Sequence, residues 1–170
     1  PLEQAMQVEF DKLGPVMFDI EDAAFADEIR KTLTADDIAA SFQRAGRETP
    51  PDLPLCDFVA PLERPSIGGE GSTDVGDVSW VTPTVQARVA TCAVGTPFHT
   101  WQTVAQGKAP AAHKGMIHAA KVMAATATHL INSPETLQAA REIHDQRHKA
   151  TPYVCPIPSG QKPPVIEQPS

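Results

Sequence analysis

Of the six histidines in this sequence, one stands where an imidazole could do chemistry. His99 follows the break Gly95-Thr96-Pro97 by two residues, and a neutral imidazole both ligates metals and carries protons. By residue type alone such a histidine is more often a plain loop residue, so its neighbours decide the matter. Upstream lies the acidic loop Gly71-Ser72-Thr73-Asp74. The Asp74 carboxylate can orient a ligand or a substrate group, or it can simply bond nearby amides as a turn-former. Downstream, His113 and Lys114 fall at the expected start of a helix, where free amides could meet an anion such as a substrate carboxylate. His118, His129, His144 and His148 are spaced along expected helices and most simply face neighbours or water. A Cys92–His99 nucleophile pair with Asp74 as orienter is a further arrangement, but nothing in the sequence lowers the thiol pKa. Packing as a small hydrophobe is the simpler role for Cys92.

The segments around His99 read as strand. Valine and threonine dominate 78–82 and 85–94, with Gly and Pro punctuation at both ends, the composition of pleated segments. Pro97 cannot donate to a ladder, so pairing is expected to stop there. In 85–94 the odd positions are mostly apolar throughout, and the even positions turn apolar at Ala90, Cys92 and Val94. That pattern predicts a strand entering a covered sheet, with His99 just past its carboxyl end, where open α/β sheets hold ligands.

Helices are expected to cover that sheet. Leu2, Met6, Phe10 and Leu13 make a helical stripe ended by Gly14-Pro15. Asp19 with Asp22, and Thr34 with Asp37, predict two further helix starts, the second with Ile38 and Phe42 inward and Gly46 at its end. A long alanine-rich helix is predicted from His113 or Lys114 to Ile131, with Met116, Ala120, Met123, Ala127 and Leu130 as one stripe packed on the sheet. Ser133-Pro134 opens a last helix ending near His148. Five prolines within 49–65 mark a surface loop, expected to be pinned by Leu53, Leu55, Phe58 and Leu62. Residues 1–150 then form one domain and 151–170 a proline-rich tail that Tyr153, Val154 and Ile157 could anchor.

Composition bounds the function. A net charge of -7 disfavours phosphate-backbone partners, which need clustered Lys and Arg. No apolar run approaches the roughly 18 residues of a membrane span, so no membrane partner and a cytoplasmic setting are expected. Three widely spaced cysteines suggest neither a disulfide framework nor a CxxC zinc pair.

The order of acidic Gly/Ser loop, valine-rich segment, Gly-x-Pro-x-His and alanine-rich helix resembles the C-terminal catalytic segment of the aminoacylase and carboxypeptidase type dinuclear metallopeptidases. Within that family it is most similar to the p-aminobenzoyl-glutamate hydrolase group of amidohydrolases. The pieces that carry the likeness are GSTDVGDVSW, GTPFHTWQ, AHKGMIHAAKVMA and PYVCPIP, and it runs from about residue 2 to residue 164. The resemblance implies an α/β fold, part of a three-layer α/β/α catalytic domain with a mixed sheet, lacking its N-terminal half. It implies hydrolysis of the amide of aminobenzoyl-glutamate or a similar N-acyl amino acid by a metal-activated water. Two divalent metals, zinc or manganese, would be held per complete site, and His99 matches the last metal-binding histidine. The family motif has a proline where Trp101 stands here, and an acidic residue where Thr73 stands. Asp74, His113 and Lys114 are then candidates to touch substrate or to orient a ligand.

The family's other ligands and its catalytic glutamate belong to a preceding segment, which nothing in residues 1–65 resembles. The expected partners are therefore that N-terminal half and a second copy or a homologous protein chain. A contrasting reading is a catalytically inactive, stand-alone interaction or scaffold domain derived from the same fold.

Overall fold

The computed structural model describes residues 1–47, 53–63 and 73–162. Among these residues the architecture is all-helical. The helices are α1 (Leu2–Leu13), α2 (Ile20–Arg30), α3 (Ala35–Arg44), α4 (Val75–Val81), α5 (Trp101–Gln106), α6 (Pro110–Ile131) and α7 (Pro134–Ala150). Helix α6 is the spine, with α1 packed along it and α7 touching both.

The cap residues act as their types dictate. Asp19 Oδ1 accepts from the amides of Glu21 and Asp22, and Asp22 answers from the third helical position by accepting from the Asp19 amide. Thr34 and Asp37 make the same reciprocal pair at the start of α3. Each such cap satisfies amides that a helix end would otherwise leave orphaned. Gly46 follows α3 at φ 72, in the left-handed region that a side chain disfavours.

The expected α/β fold, a three-layer domain with a mixed sheet, is not what the chain forms: no strand occurs among the described residues. Residues 78–81 belong to α4, and 83–91 run on without regular structure and without a ladder. Strand propensity is chiefly a measure of how side chains pack on a pleated, half-buried surface, so it cannot act without a neighbouring strand. The backbone finds other partners instead. The amide of Ala93 donates to Gln106 Oε1 at 2.7 Å, and the amide of Val94 donates to the Pro54 carbonyl at 2.9 Å. Burying such groups unpaired would cost about 1–3 kcal/mol each.

Helix α6 takes the place expected for the sheet and buries a face other than the predicted one. Ala111, Gly115, Val122 and Thr126 are inward, while Met116 and Met123 are 61% and 59% exposed. The missing side chain at Gly115 lets the backbone at Ala90 and Thr91 lie directly on the helix. A Cβ on Gly115 would stand 2.1 Å from the Ala90 carbonyl oxygen. The core beside this crossing gathers Ala26, Ile29, Leu55, Ala93 and Ala111, with Phe18 packed against it. In the proline-rich loop, Leu55 is buried as expected whereas Leu62 is 41% exposed. Residues 49–52 and 64–65 of that loop, and 163–170 of the tail, lie outside the described residues.

Two charged clusters tie α6 to its neighbours. Lys114 Nζ donates to Asp19 Oδ2 at 2.5 Å and also to Asp22, whose side chain is almost wholly buried. At the other end of the helix, His129 Nδ1 lies 2.7 Å from Glu9 Oε1, which also accepts from Lys12.

Candidate functional site: the His99 turn

His99 sits at the tip of a turn running from Ala93 to Thr100, and the residues below it are fastened. Gly95 has φ 96, and a side chain there would meet Ile38 Cγ1 at 2.7 Å, so the turn presses against α3. The Thr96 hydroxyl donates to the Ala93 carbonyl at 2.7 Å. The Pro97 carbonyl accepts two hydroxyls, from Thr100 at 2.8 Å and from Thr103 at 2.7 Å. The Thr100 hydroxyl in turn caps α5 by accepting from the Thr103 amide. Short hydroxyl-to-carbonyl bonds of this kind let a chain reverse without a ladder or a long helix.

Gln106 closes the assembly. Its side chain is buried, and its amide group ties two points of the turn to α5. Oε1 accepts from Ala93, and Nε2 donates to the Thr96 hydroxyl and to the Gln102 carbonyl, both at 3.0 Å. Sequence reasoning missed this residue. In Trp101-Gln102-Thr103-Val104-Ala105-Gln106 nothing distinguishes it from the exposed polar face of a helix.

The tip itself is strained. His99 has φ 63, and it is the one non-glycine residue with positive φ among the described residues. A side chain in that region costs of order 1–2 kcal/mol that a glycine would not. Strain of this kind concentrates at functional sites, where surrounding structure over-determines the backbone. His99 is exposed, and so are its neighbours in sequence Phe98 and Trp101, at 76% and 60%. His99 therefore lies within a pinned turn, not past the carboxyl end of a strand as the sequence suggested.

The other candidates lie elsewhere in the structure. Asp74 precedes α4 in a helical conformation with no capping bond from its side chain. Ser72 is outside the described residues, and the Thr73 hydroxyl accepts from the Val75 amide. His113 is exposed, and because α6 begins three residues earlier, at Pro110, its amide is already given to the Ala109 carbonyl. Lys114 is engaged by Asp19 and Asp22. Among the described residues no hydrogen bond joins any two of His99, Asp74, His113 and Lys114. Burial pushes the Cys92 thiol above its ordinary range, the reverse of what a nucleophile paired with His99 needs.

The donor set bears on the divalent metals that the resemblance implies. Among the described residues no three His, Cys, Asp or Glu side chains come together in a way that could hold an ion. Since a metal of this kind takes four or more ligands, the described residues do not fit a dinuclear centre by themselves, and His99 can offer one donor.

No family model matches the chain, and no solved structure matches it. In class, what the chain resembles is one subunit of a hydrolase. The particular relative is a subunit of the p-aminobenzoyl-glutamate hydrolase of Escherichia coli (strain K12), 41% identical over 176 residues that cover 95% of this chain. The likeness to that group read from the sequence motifs is borne out. The chain spans 36% of that protein's length.

No described helix is long and apolar enough to cross a membrane.

Proposed function

We propose that this chain forms part of a cytoplasmic, metal-dependent amidohydrolase that cleaves the amide of aminobenzoyl-glutamate or a similar N-acyl amino acid, and that His99 donates one ligand to its divalent metal. The observation that carries the reading is the strained, exposed imidazole on a turn fastened by Gln106, Thr100 and Thr103. The 41% identity to a hydrolase subunit supports the substrate class. When bound, a divalent metal supplies Lewis acidity and makes water nucleophilic near neutral pH. The part of this chain's own residues is narrower. The turn fixes the backbone that carries the imidazole, so less ordering remains to be done when a ligand arrives. The remaining donors come from outside the described residues, and together with them Asp74 and His113 would touch substrate or orient a ligand. A second copy or a homologous protein chain completes the assembly.

The test uses the product of the complete reading frame and the variant His99→Gly. Glycine suits φ 63, so the fold should hold or gain stability while hydrolysis of p-aminobenzoyl-glutamate falls by about 100-fold or more and tightly bound zinc or manganese is reduced. Wild-type hydrolysis and metal content in that variant would sink the reading. A complete gene product that neither binds metal nor hydrolyses the amide would favour the scaffold reading instead.

A further inference from the structure

A second feature of the molecule stands apart from the His99 turn. A cleft of about 840 Å³ opens between α1, the 56–62 loop, α4 and the unladdered 84–90 segment. No residue of the Ala93–Thr100 turn or of α5 lines it. The volume lies within the range of about 300–1,000 Å³ typical of small-molecule sites.

Its walls combine two chemistries. Met6, Phe10, Val16, Phe58 and Val89 supply apolar surface, and the Phe10 ring is tilted against the His118 imidazole at 6.5 Å between centroids. Two arginines, Arg44 and Arg88, line the same cleft, Arg44 with its guanidinium resting 3.3 Å from the Ser41 hydroxyl on its own helix, and Glu3 is the one carboxylate lining it among the described residues. This balance runs against the chain as a whole, which carries 21 acidic and 14 basic residues. Apolar walls with a local excess of guanidinium suit a ligand with an apolar body and one anionic end. Guanidinium groups bind carboxylates through paired, charge-assisted hydrogen bonds and keep their charge at any working pH.

We propose that this cleft binds an amphipathic monocarboxylate, with the apolar body against Phe10 and Phe58 and the carboxylate met by Arg88 and Arg44. The cleft has walls from segments that diverge in sequence, so occupancy would also hold the 84–90 segment against α1. Binding here is independent of any metal at His99.

Calorimetric titration of the chain with phenylacetate tests the proposal, with phenylacetamide as a neutral molecule of the same shape. Phenylacetate should bind saturably at one site and at least about tenfold more tightly than the amide, with the preference shrinking as salt is raised. Arg88→Gln and Arg44→Gln should each weaken phenylacetate by about tenfold and leave the amide unchanged, whereas Arg88→Lys should lose less. Arg141→Gln, on α7 and outside the cleft, should change nothing. Equal binding of acid and amide, unchanged affinity in both arginine-to-glutamine variants, or no saturation by phenylacetate at about 10 mM would each overturn it. Arg88 is exposed on an irregular segment, so its replacement leaves the packed core untouched.

Discussion

The carbonyl oxygen of Ala90 rests on the bare Cα of Gly115, so close that a Cβ on Gly115 would stand 2.1 Å from it and 2.8 Å from Thr91 Cγ2. This crossing seats the 83–91 segment on α6, and it depends on the absence of a side chain. Alanine at 115 would gain about 1 kcal/mol in helix propensity. It would also meet a backbone carbonyl that cannot rotate away, and overpacking of that kind costs about 1–3 kcal/mol. Gly115→Ala is therefore expected to be net destabilising in urea unfolding. Gly76→Ala, in α4 with nothing within 4 Å of its would-be Cβ, should be neutral or stabilising. A stabilised Gly115→Ala would show that the two segments do not meet as described.

Gln106 is expected to matter beyond its bulk. Gln106→Met keeps the volume but removes both acceptor and donors, leaving the amide of Ala93, a residue 1% exposed, without its partner. A loss of about 1–3 kcal/mol is expected. The His99 ring resonances should shift as the turn loosens, and the two effects can be followed together by chemical denaturation and NMR.

The ties between α2 and α6 set a pH window. The hydrogen bond from Lys114 holds the Asp19 carboxyl below its ordinary 3.8, and the bond to Asp19, then that to Asp22, holds Lys114 above its ordinary 10.5. A depressed carboxyl contributes fully above its unfolded value, and the contribution is lost as pH falls through the lower folded value. A raised ammonium contributes fully below its unfolded value and loses its contribution as pH rises through the higher folded one. Glu9, held below its ordinary 4.5 by Lys12 and then His129, behaves as Asp19 does. The contribution of these ties should thus be flat from about pH 5 to about pH 10 and fall on both sides, while the raised thiols of Cys56 and Cys92 begin the alkaline loss of thermal stability near pH 9. Lys114→Met should lower the plateau and flatten the alkaline limb, and an alkaline limb identical to wild type would contradict the assignment.

Tyr153 reports on the contact between the tail and α4. Its hydroxyl donates to Asp77 Oδ1 at 2.7 Å, and that bond, aided by burial and Cys155, raises its pKa well above the ordinary 10.0. As the single tyrosine of the chain it can be titrated alone by ultraviolet absorbance. Asp77→Asn should bring the titration back toward 10.0, and a wild-type midpoint already there would mean that the tail does not dock on α4.

The features legible in the residues alone are local ones. Capping pairs such as Asp19 with Asp22 and Thr34 with Asp37, the stop at Gly14, and Pro134 at a helix start all act within one turn of their own helix, so residue type and spacing suffice to read them. The likeness to a hydrolase subunit was legible for a similar reason, since motifs such as GTPFHTWQ are strings of residues and need no fold to be recognised. Which surfaces meet is a property of the folded chain. Valine-rich 85–94 has strand composition, but a strand exists only where a second segment completes its ladder; here Gln106 and Pro54 accept the amides of Ala93 and Val94, and Gly115 gives the segment a surface to lie on. The stripe of Met116 and Met123 was misread because the periodicity of α6 permits more than one apolar face, and the close approach at Gly115 selected the one that also holds Ala111, Val122 and Thr126. Gln106 stayed hidden because polar residues reveal a structural task only when burial forces each of their atoms to find a partner.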